Sequence, residues 1–379
     1  LTGNLPREGL SQARLQLQLQ QVDLRPLMTA LPVTRFDGSV DLTPLPGGAD
    51  EGWQAVADVR NALAGRLDEE RLPMDQFAGT LRATPDSFVA DALRLVIGEG
   101  DVLVNASYAP DGGALDVRGE LRRLPLADIH GQLARGAASS VSGTLTVAGA
   151  LEQQLVFDAD INSDRAGATS ARSEAPADRW DIRRLQLQGS WSPTHLRVSR
   201  VDIDALGARI EGSGIDVALP EFASVAAHVN AVAPGLTLDA DASMQQRSGG
   251  GTLSMQLASA EEMFQWLGEL PLIGEQLPAM QAAGAASLEA TWQGGWQQWM
   301  DGLRRPERYP DLAVDARLVS EQLRIDMGSE DAAVIELDNV NASLAGNFAE
   351  ASLAMAGAAR MADRAATLDV QVRMQHDPA

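Results

Sequence analysis

Apolar and polar residues alternate with a period of two through most of this chain. Leu15, Leu17 and Leu19 alternate with glutamines, and Val102, Val104, Ala106 and Tyr108 alternate with Leu103, Asn105 and Ser107. The same rhythm returns at Leu115 and Val117, at Leu155 and Phe157, at Leu185 and Leu187, and at Leu196 and Val198. Ile215 and Val217, Leu253 and Met255, Leu312 and Val314, and the run Leu368, Val370, Val372, Met374 continue it. Such alternation gives each strand one apolar and one polar face. Short turns punctuate the pattern at Asp111-Gly112-Gly113, Gly207-Ala208 and Ser248 to Gly251. Long amphipathic helices between the strands are missing, so the pattern predicts an antiparallel meander rather than βαβ units.

Roughly twenty strands fit the pattern, more than one compact sandwich usually holds. Many positions on the apolar side are Ala, Gly or Val, which would fill a closed core poorly. The expected fold is therefore mainly β. An elongated, curved antiparallel sheet forming a trough, with a few short helices, is one arrangement; a solenoid or two to three packed sandwiches are the others. At about 4.8 Å per strand, an elongated sheet would extend about 90 to 100 Å. Gly residues recur within a loose strand–Gly–strand unit, as in Phe77-Ala78-Gly79-Thr80-Leu81 and Val141-Ser142-Gly143-Thr144-Leu145, where they let a sheet bend. Leu72-Pro73-Met74 and Leu124-Pro125-Leu126 read as short crossings between strand sets.

Two stretches break the rhythm. Residues 162–179 are rich in Asp, Ser, Ala, Gly and Arg without apolar period, which predicts a mobile surface loop. Within 261–304, Met263, Phe264, Trp266, Leu267 and Leu270 sit at helical spacing. Trp292, Trp296, Trp299, Met300 and Leu303 follow one face of a second short helix ending before Pro306. Trp266, Trp292, Trp296 and Trp299 are thus either packing residues of small helices or a cap across an apolar groove. The expected organisation is a sheet over 1–161, the loop, a continuing sheet over 180–260, the helical stretch 261–304, and C-terminal strands over 305–379.

Composition removes whole classes of function. The chain has no cysteine, which excludes disulfides, zinc–thiolate centres and iron–sulfur clusters. It has no lysine, hence no Walker P-loop lysine and no Schiff base. A net charge of −22 disfavours nucleic acid and broad contact with an anionic membrane. Aromatics are 4% of residues, too few for the girdles of a membrane barrel. No run of about 18 apolar residues occurs. The chain starts at Leu1, so a leader and a membrane anchor are expected elsewhere in a longer protein.

No nucleophile-elbow, dinucleotide-binding or zincin motif is present. The histidines His130, His195, His228 and His376 are scattered and none is assigned to a metal. Asp202 and Asp204 share a strand face, read as a solvated polar surface. The chain is therefore expected not to be an enzyme and to need no cofactor.

Three stretches carry a resemblance. They are Asn61-Ala62-Leu63-Ala64-Gly65-Arg66-Leu67 through Leu72-Pro73-Met74 to Gly79-Thr80-Leu81; Ala92-Leu93-Arg94-Leu95-Val96-Ile97-Gly98 through Val102-Leu103-Val104 to Asp128-Ile129-His130; and Arg184-Leu185-Gln186-Leu187-Gln188-Gly189 to Gly212-Ser213-Gly214-Ile215-Asp216-Val217. In rhythm and residue class they resemble the repetitive middle of TamB proteins, of the AsmA-like group. The resemblance implies a U-shaped sheet (a β-taco) with an apolar inner groove, in a periplasmic protein of a Gram-negative bacterium anchored to the inner membrane. It also implies an Omp85-type outer-membrane partner and roles in phospholipid movement and outer-membrane protein assembly.

On the residue pattern, candidates to line an acyl-chain groove are Val102, Val104, Leu115, Val117, Leu155, Phe157, Leu185, Leu187, Leu196, Val198, Ile215, Val217, Leu253, Met255, Leu312 and Val314. The expected partners are phospholipid acyl chains. The competing reading is a scaffold whose open sheet edge pairs with strands of a barrel protein. An adhesin or solenoid would show a stricter repeat, and nothing positive supports a hydrolase.

Overall fold

The computed structural model describes residues 2–4, 14–23, 25–26, 32–131, 140–164, 182–219, 222–270, 281–302, 312–326, 334–347, 349–361 and 364–375. Most of the 162–179 loop, the 305–311 stretch, Leu303 and His376 lie outside these residues. The protein is mainly β: the described residues form twenty-one strands in antiparallel meander order and three short α-helices. Two compact units divide it, Leu1–Pro193 with Asp204–Leu206, and Thr194–Ile203 with Gly207–Ala379.

The first unit contains β1 (Thr2–Asn4), β2 (Arg14–Val22), β3 (Phe36–Leu45), β4 (Gly48–Asn61), β5 (Gln76–Ala83) and β6 (Phe88–Ile97). It continues with β7 (Gly100–Ala109), β8 (Ala114–Pro125), helix α1 (Leu126–Ile129), β9 (Ser140–Ala150), β10 (Gln154–Ser163) and β11 (Ile182–Trp191). Each strand pairs antiparallel with its sequence neighbours. The 3-10 turns Leu67–Glu69 and Asp111–Gly113 sit between strands.

Strands of this unit bend at a recurring device. Gln21, Ala92 and Arg123 adopt left-handed backbone, with φ of 49°, 48° and 47°, each where the ladder to the next strand slips register. The N–H of each turns out of the ladder and donates to a side chain on that next strand. Asp37 Oδ1 accepts from Gln21, Asn105 Oδ1 from Ala92, and Ser142 Oγ from Arg123, all at 2.9 Å. A bulge bends its strand and strengthens its twist, and the borrowed acceptor removes the cost of an orphaned N–H. Sequence placed the bends at glycine. These three bulges fall instead on non-glycine residues, and glycines serve close packing beside them: a Cβ at Gly38 would overlap the Asp58 carbonyl oxygen, and one at Gly143 the Asp160 carbonyl oxygen; in the second unit the irregularity between Ser213 and Asp216 does contain a glycine, Gly214 at φ 62°.

The expected crossing at Leu124-Pro125-Leu126 is an end cap. β8 and β9 pair directly. Pro125, without an N–H, ends the ladder and turns the chain into α1. Leu124 and Leu126 bury against Val141, with Ile97, Val102, Leu121, Ile129 and Ile161 around them. Leu72-Pro73-Met74 likewise precedes β5, which pairs with its neighbour β4, so no crossing occurs there either.

The second unit holds most of β12 (His195–Ala205), then β13 (Ala208–Ala218), β14 (Ser224–Ala233), β15 (Leu236–Gln245) and β16 (Gly249–Leu257). Helix α2 (Ala260–Glu269), β17 (Gln281–Gln293), helix α3 (Trp296–Gly302), β18 (Ala313–Asp326), β19 (Ile335–Asn347), β20 (Glu350–Met361) and β21 (Arg364–Gln375) complete it. From β13 to β21 every pairing is again antiparallel between sequence neighbours. Ser259 caps α2 by accepting the Glu262 N–H at 3.2 Å, with Glu261 and Glu262 in its positive first turn.

Candidate functional site

The register of the first unit sets apolar side chains in rows that cross the strands. One row runs Leu15, Leu42, Ala55, Leu81, Ala90, Ala106, Val117, Val147, Phe157, Gly189 over ten strands. A parallel row runs Leu19, Gly38, Val59, Phe77, Leu95, Val102, Leu121, Gly143, Ile161, Leu185. Between them lie Leu17, Val40, Ala57 and Gly79, then Leu93, Val104, Gly119, Leu145, Ala159 and Leu187. Along the strand ends runs Trp53, Ala83, Phe88, Tyr108, Leu115, Gly149, Leu155. The predicted residues Val102, Val104, Leu115, Val117, Leu155, Phe157, Leu185 and Leu187 all fall on this one face.

The opposite face is polar. Gln186 Nε2 donates to Asp160 at 2.8 Å and Gln188 Nε2 to Asp158 at 2.6 Å. Arg122 binds Glu120 through two bonds of 2.8 Å; they hold the Glu120 carboxyl below the usual range. A sheet with one such face in water needs the other covered.

That cover is incomplete and graded. No large side chain among the described residues is fully buried. At one end of the strands Phe36, Val59, Leu124, Leu126 and Val141 are buried. Toward the other end, Leu81 and Leu145 are each 40% exposed and Phe88 is 52% exposed. There a cavity of about 380 Å³ opens, lined by Leu42, Trp53, Leu81, Phe88, Tyr108 and Leu115 among others. The Phe88 and Tyr108 rings stack with centroids 6.3 Å apart. Sequence reasoning missed Trp53, Phe88 and this role for Tyr108. Tyr108 was visible as the last member of the Val102–Val104–Ala106 alternation; Trp53 and Phe88 reach it only through register.

The second unit has its own apolar face. Ile210, Ala231, Leu238, Met255, Leu288, Leu318, Ala342, Met355 and Val370 form one row. Gly212, Val229, Ala240, Leu253, Ala290, Ala316, Leu344, Leu353 and Val372 form the next. Val217 pairs with Val225 on the same side, and Ile215 shares its side two residues before. Val314 pairs with Trp292, and Leu312, just ahead of β18, is 3% exposed. Leu196 and Val198 lie in β12, where Val198 is buried.

The tryptophans divide between strand and helix. Trp292 is a strand residue: it extends the Ala286, Leu288, Ala290 alternation of β17, and α3 begins only at Trp296. The helical spacing of Trp292 and Trp296 is accidental, because Gly294 and Gly295 separate strand from helix. Trp292 Nε1 donates to Met244 Sδ at 3.4 Å, and Trp296 Nε1 to the Phe222 carbonyl at 3.0 Å. Gln297 N–H donates to the Gln246 carbonyl at 3.2 Å, and Trp299 N–H to the Gly295 carbonyl at 3.0 Å. The bond to Gln246 seats α3 at the β15–β16 turn, and the bond to Phe222 ties it to the β13–β14 connection. Trp266 is carried by α2, which packs on β17 at the opposite end of the strands.

Asp202 is not on a solvated surface. It is 4% exposed, with Arg200 at 3.6 Å and Arg209 at 3.8 Å. His228 faces Asp241 at 3.5 Å and Asp239 at 3.9 Å. Among the described residues no group of three or more His, Asp and Glu could hold a metal ion, and no helix is long and apolar enough to cross a membrane. No family model, no curated protein and no solved structure matches this chain.

Proposed function

We propose that the apolar faces shield acyl chains of phospholipids from water, in a segment that bridges the two membranes of a Gram-negative envelope from the periplasm. The supporting observation is the set of in-register apolar rows crossing ten strands of the first unit while most of their large side chains stay partly exposed. An acyl chain laid on such rows gains about 0.8 kcal/mol per buried CH₂. Walls of Leu, Val, Ala and Gly offer it no directional bond, so neighbouring positions are nearly equivalent. The polar face keeps the sheet hydrated, and direction of flow must come from outside this chain. An Omp85-type outer-membrane partner belongs to the same reading.

Native mass spectrometry with lipid extraction, on protein purified without detergent, tests it. Phospholipid should co-purify and should be lost when Leu187→Asp or Val217→Asp places a charge in the rows. Lipid-free protein that keeps its β circular dichroism would sink the proposal and favour strand pairing with a barrel protein.

A further inference from the structure

The cavity on the apolar face of the first unit has a small floor. Ala55, Ala83, Ala90 and Ala106 lie among the larger Leu42, Leu81 and Leu115. Leu81 pairs with Ala55 and with Ala90, and Ala90 with Ala106, so the dip crosses from β4 to β7. Arg82 also borders it, but its side chain is bound to Asp91 at 2.9 Å on the polar face. The dip therefore offers hydrocarbon contact and no charge.

Toward the strand ends the lining turns aromatic. Trp53 pairs with Ala83, Ala83 with Phe88, and Phe88 with Tyr108. Beyond the rings the chain turns acidic. Residues 46–52, 84–87, 110–113 and 151–153, at the hairpins of this end, hold Asp50, Glu51, Asp86, Asp111 and Glu152 and no arginine. All five carboxylates are exposed, and none makes an ion pair or side-chain hydrogen bond among the described residues. Asp86 stands two residues before Phe88 and Asp111 three after Tyr108, at most about 7 and 11 Å of chain.

The order from the dip outward is apolar, aromatic, anionic. An amphiphile lying with its chain inward would meet these zones with its hydrocarbon, its polar junction and the tip of its headgroup. An anionic tip would meet like charge at Asp86 and Asp111. A neutral tip would gain nothing from them. An ammonium would be attracted by both carboxylates and by the exposed ring of Phe88. A phosphate behind it finds no cation at these turns and stays in water.

We propose that this cavity seats one acyl chain of a phospholipid whose headgroup ends in an ammonium, held between the Phe88–Tyr108 pair and the Asp86 and Asp111 carboxylates. This rests on the acyl-shielding reading above and adds the headgroup class to it.

The test is binding of four probes to the full chain below their micelle concentrations. They are lysophosphatidylethanolamine, lysophosphatidylglycerol and monoacylglycerol with one common acyl chain, and chain-free glycerophosphoethanolamine. At low ionic strength the ethanolamine lipid should bind about three- to ten-fold more tightly than the glycerol lipid, the range that a few exposed charge pairs span. At 1 M salt, where charges are screened beyond about 3 Å, the two should converge. Asp86→Asn with Asp111→Asn should abolish the preference and leave monoacylglycerol unchanged. Ala90→Leu, which fills the floor, should weaken all three chain-bearing probes about tenfold while β circular dichroism is kept. The turn substitutions fall on exposed residues and decide the headgroup class even where Ala90→Leu unfolds. Equal affinity for the two lysolipids, or a preference that survives the turn substitutions, overturns the headgroup class while monoacylglycerol binding keeps the acyl reading intact. A folded Ala90→Leu protein that binds all three as the parent does overturns this cavity as the seat. Failure of every chain-bearing probe to bind removes both readings. Chain-free glycerophosphoethanolamine binding as tightly as its lysolipid would overturn the lipid as source.

Discussion

Trp292 and Met244 touch although a whole strand lies between theirs. The indole of β17 donates to the thioether of β15 over Gly251 of β16, and a Cβ at Gly251 would run into the indole ring. The absent side chain is what lets the two meet.

Gly251→Val should therefore push Trp292 off Met244 and destabilise the second unit by about 1 to 3 kcal/mol, the usual cost of overpacking. Urea unfolding followed by tryptophan emission reads both effects. Emission and midpoint equal to the parent's would show that the contact is dispensable.

The graded burial of the first unit predicts unequal responses to truncation. Leu126→Ala, in the closed end, should cost about 2 to 4 kcal/mol. Leu81→Ala, on a residue already 40% exposed, should cost about 1 kcal/mol or less yet weaken acyl-chain binding. Denaturant midpoints and lipid retention, measured on the same two variants, should move in opposite order.

At the bulges, Asn105→Ala should leave the Ala92 N–H without its acceptor and cost about 1 kcal/mol. Ala92→Gly should stabilise slightly, by about 0.5 kcal/mol, since relief of left-handed strain exceeds the entropy glycine adds to the unfolded chain. Equilibrium unfolding of the two single variants decides the signs.

Acid should loosen the loops before the sheets. The N–H groups of Arg25 and Thr34, donating to Asp23, hold its carboxyl below the ordinary 3.8; the Gly131 N–H does the same to Asp68. A native carboxyl of depressed pKa binds its proton less readily than the unfolded chain does. Its stabilisation is therefore complete above about 3.8 and disappears as pH falls through the lower native value. Asp23→Asn should flatten the acid limb of a pH–stability curve in that window, its loss of stability being full above about 3.8 and vanishing at lower pH. An unchanged limb would show that these bonds carry no linkage.

Strand number, polarity of each face and the antiparallel meander were legible because period two is a local signal, written within each strand. Phe157 and Leu187 could be assigned to a face from their own neighbours. What was not legible depends on partners far along the chain. Asp202 looks like any surface carboxylate until register brings Arg209 beside it. Trp292 satisfied two periodicities at once, and only Gly294-Gly295 marks where the strand stops. Gln21, Ala92 and Arg123 carry no residue signature for left-handed backbone; their acceptors lie 16, 13 and 19 residues away.

Because each strand within a unit pairs only with those next to it in sequence, contact order is low for so large a β structure. Such topologies nucleate locally and grow outward. Hairpins can be completed in the order in which they leave a ribosome or a translocation pore, each templated by the last. For the same reason evolution can lengthen or shorten this protein by whole hairpins without rethreading the rest, so its span is adjustable in steps of about 10 Å, two strand spacings.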